Sequence, residues 1–157
     1  MVVRFANMPF ENASTFTTIG LGDEVLRLMD GRELRHELEF AAHDVYPAGR
    51  IASFLLTFAA FARSQSRALA RGDVIGPSTS LIANVKANAL YACPPVIFPE
   101  GLALYDETSP PTIAVWLLPL VGNESLVAKK LGIDGFEDIL EHANPDLLDL
   151  DRAPVVD

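Results

Sequence analysis

Between Thr112 and Leu120 the chain reads TIAVWLLPL, a nearly all-apolar run with no charged residue. A strand of this composition has no face to give to water, so it suits a position covered by protein on both sides. Pro119 lacks an N–H, which places an edge or a bulge at that end of the strand. The run leads directly into Gly122, Asn123, Glu124 and Ser125. A carboxylate and a hydroxyl at such a corner invite a catalytic reading. The opening of a helix explains them too, with Asn123 as N-cap and Glu124 complementing the helix dipole.

The other elements follow from periodicity. STFTTIGLGDEVL opens as a strand and breaks at Gly20 and Gly22. ELRHELEFAAH alternates, with Leu34, His36, Leu38 and Phe40 on one side and Glu33, Arg35, Glu37 and Glu39 on the other. That pattern predicts a strand with one wet face, antiparallel to its short-range predecessor. After Pro47 and Gly49, the residues Ile51, Phe54, Leu55, Phe58, Phe61, Ala62 and Leu69 recur at helical spacing. They predict a long central helix through residue 70, stopped by Gly72. Residues 71–111 are broken repeatedly by Gly, Pro, Ser and Thr. They read as a loop, a strand around Val85 to Cys93, a second short apolar run and another loop. Two short helices close the chain. One runs from Glu124 to Leu131 and ends at Gly132. The other starts at Asp134, with Glu137 as the return half of a capping box, and ends near Asn144. The tail DLLDLDRAPVVD returns to the body as an extended segment. The expected fold class is α+β: a mixed, mainly antiparallel sheet packed against one long central helix and two short C-terminal helices.

The 157 residues suit a single domain, 1–157, with one hydrophobic core. A formal charge of −9 argues against nucleic acid, which needs Lys and Arg gathered on one face. RIASFLLTFAAFAR carries roughly a dozen apolar residues where a bilayer span needs about 20, so no membrane segment is expected. MVVRFANMPF lacks a secretory h-region. With a single cysteine, Cys93, the expectation is a cytoplasmic protein.

Candidate chemistry is sparse. GLGDEV lacks the third glycine and the following helix of a dinucleotide fingerprint. Cys93, followed by Pro94 and Pro95, opens no helix that could activate a thiolate. A small hydrolase or transferase using Cys93 or Glu124 with His36, His43 or His142 stands as the alternative function. The histidines have no metal-ligand spacing, and no cofactor is expected. The strongest unevenness is electrostatic. Residues 134–157 carry eight acids (Asp134, Glu137, Asp138, Glu141, Asp146, Asp149, Asp151, Asp157) against Arg152, so this end holds −7 of the −9. Such a surface suits a basic partner.

The order of motifs then adds a resemblance. TFTTIGLGD, RHELEFAA, the central helix, GDVIGPSTS, LYACPPVIFPE and the block from TIAVWLLPLVGNES to DLDRAPVV occur in one sequence. Together they resemble the suppressor-of-fused domain family in its short bacterial form, over about Thr15 to Val156. The carrying residues are Thr18 and Gly20; Arg35, Glu37 and Leu38; Leu118, Pro119 and Leu120; then Glu124, Gly132, Ile139, Leu140, Asp149 and Arg152. The resemblance implies a non-enzymatic binding protein. Its bacterial form implies an immunity protein that neutralises a cognate toxin of a polymorphic toxin system. The expected partner is a protein, such as a basic toxin domain. The expected partner-binding residues are Glu137, Asp138, Glu141, Asp149 and Asp151, with Glu37 and Glu39 as further candidates.

Overall fold

In the computed structural model, which describes residues 1–98 and 103–156, the apolar run becomes the strand β8 (Thr112–Val121) at the centre of a sheet. The other strands are β1 (Val2–Ala6), β2 (Ala13–Thr18), β3 (Leu26–Arg27), β4 (Glu33–His43), β5 (Val74–Ile75), β6 (Ala87–Cys93) and β7 (Leu104–Tyr105). Their order is β1-β2-β4-β8-β6-β5, with β3 pairing β4 and β7 pairing β8. Every pairing is antiparallel except β4 with β8, whose register sets Leu38 opposite Val115 and Glu39 opposite Trp116. The sheet is therefore mixed and largely antiparallel.

Both faces of β8 are covered, as its composition requires. Val115 and Leu117 join Leu38, Phe40, Ile51 and Leu55 on the face under α1 (Ala48–Gln65). Trp116, Leu118 and Leu120 join Tyr91, Ala128 and Phe136 on the face under α2 (Glu124–Ala143). The two helices thus lie on opposite faces. Fully burying a side chain such as Phe136 contributes about 1.5–3 kcal/mol.

Pro119 behaves as its chemistry predicts. It pairs with Leu90 on the β6 side, near a register shift between Ala87 and Ala89. The β4 ladder ends at Trp116, so on that side no strand asks for the missing N–H.

Several expectations are revised. The central helix stops at Gln65 rather than residue 70, because Ser66 takes the left-handed conformation at φ 49°. Residues beyond it pair with β3 instead, Ala68 N donating to Arg27 O at 2.8 Å and Arg27 N to Ser66 O at 3.1 Å. The two expected short helices are both present, running on from one another as Glu124–Ala143 across a kink at Gly132, whose φ of 73° and ψ of −170° are not helical. With the kink included this run spans 20 residues against 18 in α1, so α1 is not the one long helix of the fold. β1, at the sheet edge, and the two-residue strands were not legible in the periodicity. The tail does return to the body, with Leu148 and Leu150 buried and Leu150 O accepting from Ala87 N at 2.9 Å. Part of the second apolar run, at residues 99–102, and Asp157 lie outside the described residues.

Candidate partner-binding surface

The corner that looked catalytic is a closed ionic joint. Glu124, at the first residue of α2, is 0% exposed. Its Oε1 accepts from Arg152 Nη1 at 2.5 Å and from Val155 N at 2.9 Å. Its Oε2 accepts from Arg152 Nη2 at 2.7 Å and from Val121 N at 3.0 Å. Arg152, with 5% of its side chain exposed, also donates to Pro119 O at 3.2 Å. The pair ties the end of β8, the start of α2 and the tail together. With both oxygens engaged and out of water, Glu124 has no access to a substrate. Asn123 makes no side-chain cap, and the N-terminal bond goes to Glu124.

A second joint lies toward the other end of β8, where Glu37 stands opposite Ala114. Glu37 accepts from Thr18 Oγ1 at 2.6 Å, Gly20 N at 2.9 Å and Gly22 N at 3.0 Å. Thr18 Oγ1 in turn accepts from Leu38 N at 2.8 Å. Arg35 donates to Gly22 O and Asp23 O at 2.9 and 2.7 Å. The loop after β2 is thereby fastened onto β4. The expected wet face of β4 is wet at Glu33 and only partly so at Arg35 and Glu37. Glu37 is spent on the loop, and Glu39 is buried beside Trp116 with one oxygen unpartnered among the described residues. Burial raises the Glu39 carboxyl to about 7. Alternation identified the two sides of the strand, but the loop and the layer that cover the second side were not visible in it.

The alternative catalytic set is dispersed. Cys93 Sγ lies 3.7 Å from Trp116 O, and burial, then the charge of Glu137, pushes its thiol up to about 12. That is the opposite of an activated thiolate. His36 is buried and accepts from Leu69 N through Nε2 at 2.9 Å, and burial lowers its pKa. His43 meets Asp146 at 2.7 Å, and His142 Nδ1 meets Asp138 O at 2.7 Å. Among the described residues no group of histidine, cysteine and carboxylate side chains is arranged to hold a metal ion. No helix there is long and apolar enough to cross a membrane.

The acidic end divides into internal and external groups. Glu137 does not close a capping box. It is half-buried and ion-paired with Arg71, and it accepts from Tyr91 OH at 2.8 Å. The hydrogen bonds from Arg71 hold its carboxyl below the usual carboxylate value. Asp149 accepts from Tyr46 OH at 2.5 Å and Asp151 N at 2.9 Å, and Asp151 accepts from Lys86 N at 2.9 Å. Asp138 and Glu141 are exposed, as are Asp134 and Asp146 nearby. The outer side of α2 forms the free acidic surface, whereas Asp146 in the turn after it is exposed but bound by His43 and by Leu148 N. Sequence spacing gave the charge but not which carboxylates were already engaged.

Comparison with known proteins agrees with this architecture. Immunity protein YqcF of Bacillus subtilis (strain 168) is 26% identical over 160 residues, covering 99% of this chain and 81% of that protein. A crystal structure of a suppressor-of-fused homolog from Neisseria gonorrhoeae superposes with a TM-score of 0.65 at 15% identity, over 99% of this chain and 88% of the other. Drosophila Suppressor of Fused gives a TM-score of 0.71 at 17% identity, over 98% of this chain and 42% of that one. A chain of a Sufu–Fu complex gives 0.67 at 16% identity, over 98% and 75%. The profile described as "Suppressor of fused protein (SUFU)" matches residues 1–153, and with both motif joints in place the chain belongs to the suppressor-of-fused family.

Proposed function

We propose that this chain is a single-domain, non-catalytic, cytoplasmic immunity protein that neutralises a cognate toxin of a bacterial polymorphic toxin system by binding it. The supporting observation is that the motif residues are consumed in joints while a row of carboxylates on α2 stays in water. Asp134, Asp138 and Glu141 are free to meet Lys or Arg on a basic toxin domain, while Asp146 beside them is held by His43. Glu137, Asp149 and Asp151 keep their expected place in the surface as supports, holding α2 and the tail through Arg71, Tyr46 and Lys86. The name of the B. subtilis relative, an immunity protein, points the same way. Carboxylates on a rim act chiefly on the rate of encounter and on the choice of partner.

The test uses the carboxy-terminal domain of any secreted protein encoded beside this gene that proves toxic when expressed alone. Co-expression is expected to restore growth, and the purified pair is expected to associate more slowly as salt rises. Asp138→Lys with Glu141→Lys is expected to slow association at least about tenfold at low salt. Association insensitive to both salt and this double change would remove the electrostatic part. Absence of any complex would remove the reading.

A further inference from the structure

A pocket of about 290 Å³ opens between the second half of α2 and the sheet. β6 supplies Tyr91 and Cys93 to its wall, β8 supplies Trp116 and Leu118, α2 supplies Leu140, and the tail supplies Leu147. Arg71, Glu137 and Val96 are the more exposed members of the wall and mark its mouth. A helix packed on a sheet at interior density leaves no such space beneath it.

The polar side chains of the wall are engaged, with one exception. Tyr91 OH donates to Glu137 at 2.8 Å, and Glu137 is ion-paired with Arg71. Cys93 Sγ donates to Trp116 O at 3.7 Å. The exception is the Trp116 indole. Its side chain is 1% exposed, and Nε1 has no hydrogen-bond partner among the described residues. Buried tryptophans normally find an acceptor for this N–H. Glu39, the register partner on β4, does not take it, and its Oε2 is itself without a partner among the described residues.

These groups select the chemistry of an occupant. The unsatisfied atom can only donate, so the occupant brings an acceptor. Arg71 and Glu137 compensate each other's charge, so the site favours a neutral molecule over an ion. The rest of the wall is apolar or already bonded, so the body of the occupant is apolar too. At about 30 Å³ for each non-hydrogen atom, the space holds about ten of them. A leucine or phenylalanine side chain from a partner protein would fill it yet leave the indole N–H unpaired.

We propose that this pocket binds a neutral small molecule of about ten non-hydrogen atoms. Its body is apolar, and its ketone, ester or ether oxygen accepts the Trp116 indole N–H. The site is distinct from the outer carboxylates Asp138 and Glu141 and does not depend on the toxin reading.

The test uses the ¹⁵N-labelled chain, whose sole tryptophan gives one indole cross-peak. Acetophenone is the probe. Cumene, with a methyl group in place of the carbonyl oxygen, is the control of equal size. The indole proton is expected to move downfield with acetophenone and not with cumene. Acetophenone is expected to bind at least about tenfold more tightly than cumene. Trp116→Phe, followed by saturation transfer to the ligand, is expected to abolish that preference. If circular dichroism shows this variant unfolded, Leu140→Phe, which narrows the pocket from α2, is expected to weaken acetophenone at least about tenfold. No binding of either probe at millimolar concentration, equal affinity for the two, an unmoved indole peak, or binding untouched by the variants would overturn the proposal. An indole proton already at a hydrogen-bonded position in the free chain, and moved upfield by Glu39→Met, would overturn it too, since the carboxyl would then hold the N–H.

Discussion

Breaking the Glu124–Arg152 joint is expected to be among the most damaging small changes available to this chain. Glu124→Gln keeps the shape but removes the charge opposite a guanidinium with 5% of its side chain exposed. Arg152→Met keeps much of the stem and leaves the carboxylate with only Val121 N and Val155 N. Removing one partner of a buried pair costs about 3–5 kcal/mol, because the other charge stays dehydrated. At this chain length each kcal/mol lowers Tm by about 2–4 °C, so either change is expected to lower it by about 6–20 °C. The double variant removes both charges and is expected to cost less than the sum, with a coupling of about 1–3 kcal/mol. Trp116, the sole tryptophan and 1% exposed, reports unfolding in urea. In hydrogen exchange, loosening is expected first at the amides of Val155 and Ala87, which bind Glu124 and Leu150. Single variants costing under about 1 kcal/mol, or strict additivity, would refute the reasoning.

Other expectations are independent of that joint. Glu39 carries a native pKa of about 7 against 4.5 for the free group, so its folded form holds the proton more tightly. Stability is then full below about 4.5 and falls as pH rises through 7, by up to about 3 kcal/mol. Glu39→Gln is expected to flatten that fall in urea titrations between pH 5 and 8, and an unchanged slope would count against the buried acid. His36 works in the other direction: its native pKa is lowered by burial, so stability is full above 6.5 and declines as pH drops below it. His36→Gln, followed by the same titration between pH 7 and 5, is expected to remove that decline, whereas an unchanged decline would count against it. Cys93, with its thiol pushed up to about 12, is expected to react with iodoacetamide at pH 8 at least about tenfold more slowly than a free cysteine; equal rates would contradict its burial.

What the sequence made legible was set by how local the physics is. ELRHELEF alternates, and β4 spans it and runs on from Glu33 to His43. TIAVWLLPL announced its own coverage, and Pro119 its irregular end. The end of α1 was misplaced because Leu69 continues the helical period, whereas Ser66 and a bridge to β3 decide where the helix stops. The solvation of Glu37 and Glu39 was misread for a similar reason. Alternation gives two faces but does not reveal that the turn after Thr18 folds back over one of them. The candidate surface was legible only as charge. Asp138 and Glu141 look like Glu137 and Asp149 in the sequence, and only tertiary placement shows which pair meets Arg71 and Tyr46. Several of the residues that carry the resemblance are joints: Thr18, Arg35 and Glu37 fasten one loop, and Glu124 with Arg152 fastens the tail.

The central claim is that binding lies on the outer side of α2. The most direct measurement is the association rate with the proposed toxin partner across ionic strength, for the natural chain and for Asp138→Lys with Glu141→Lys. The account predicts a rate that falls steeply with salt for the natural chain and is slow and nearly salt-independent for the variant. Rates identical for the two proteins at every ionic strength would contradict it.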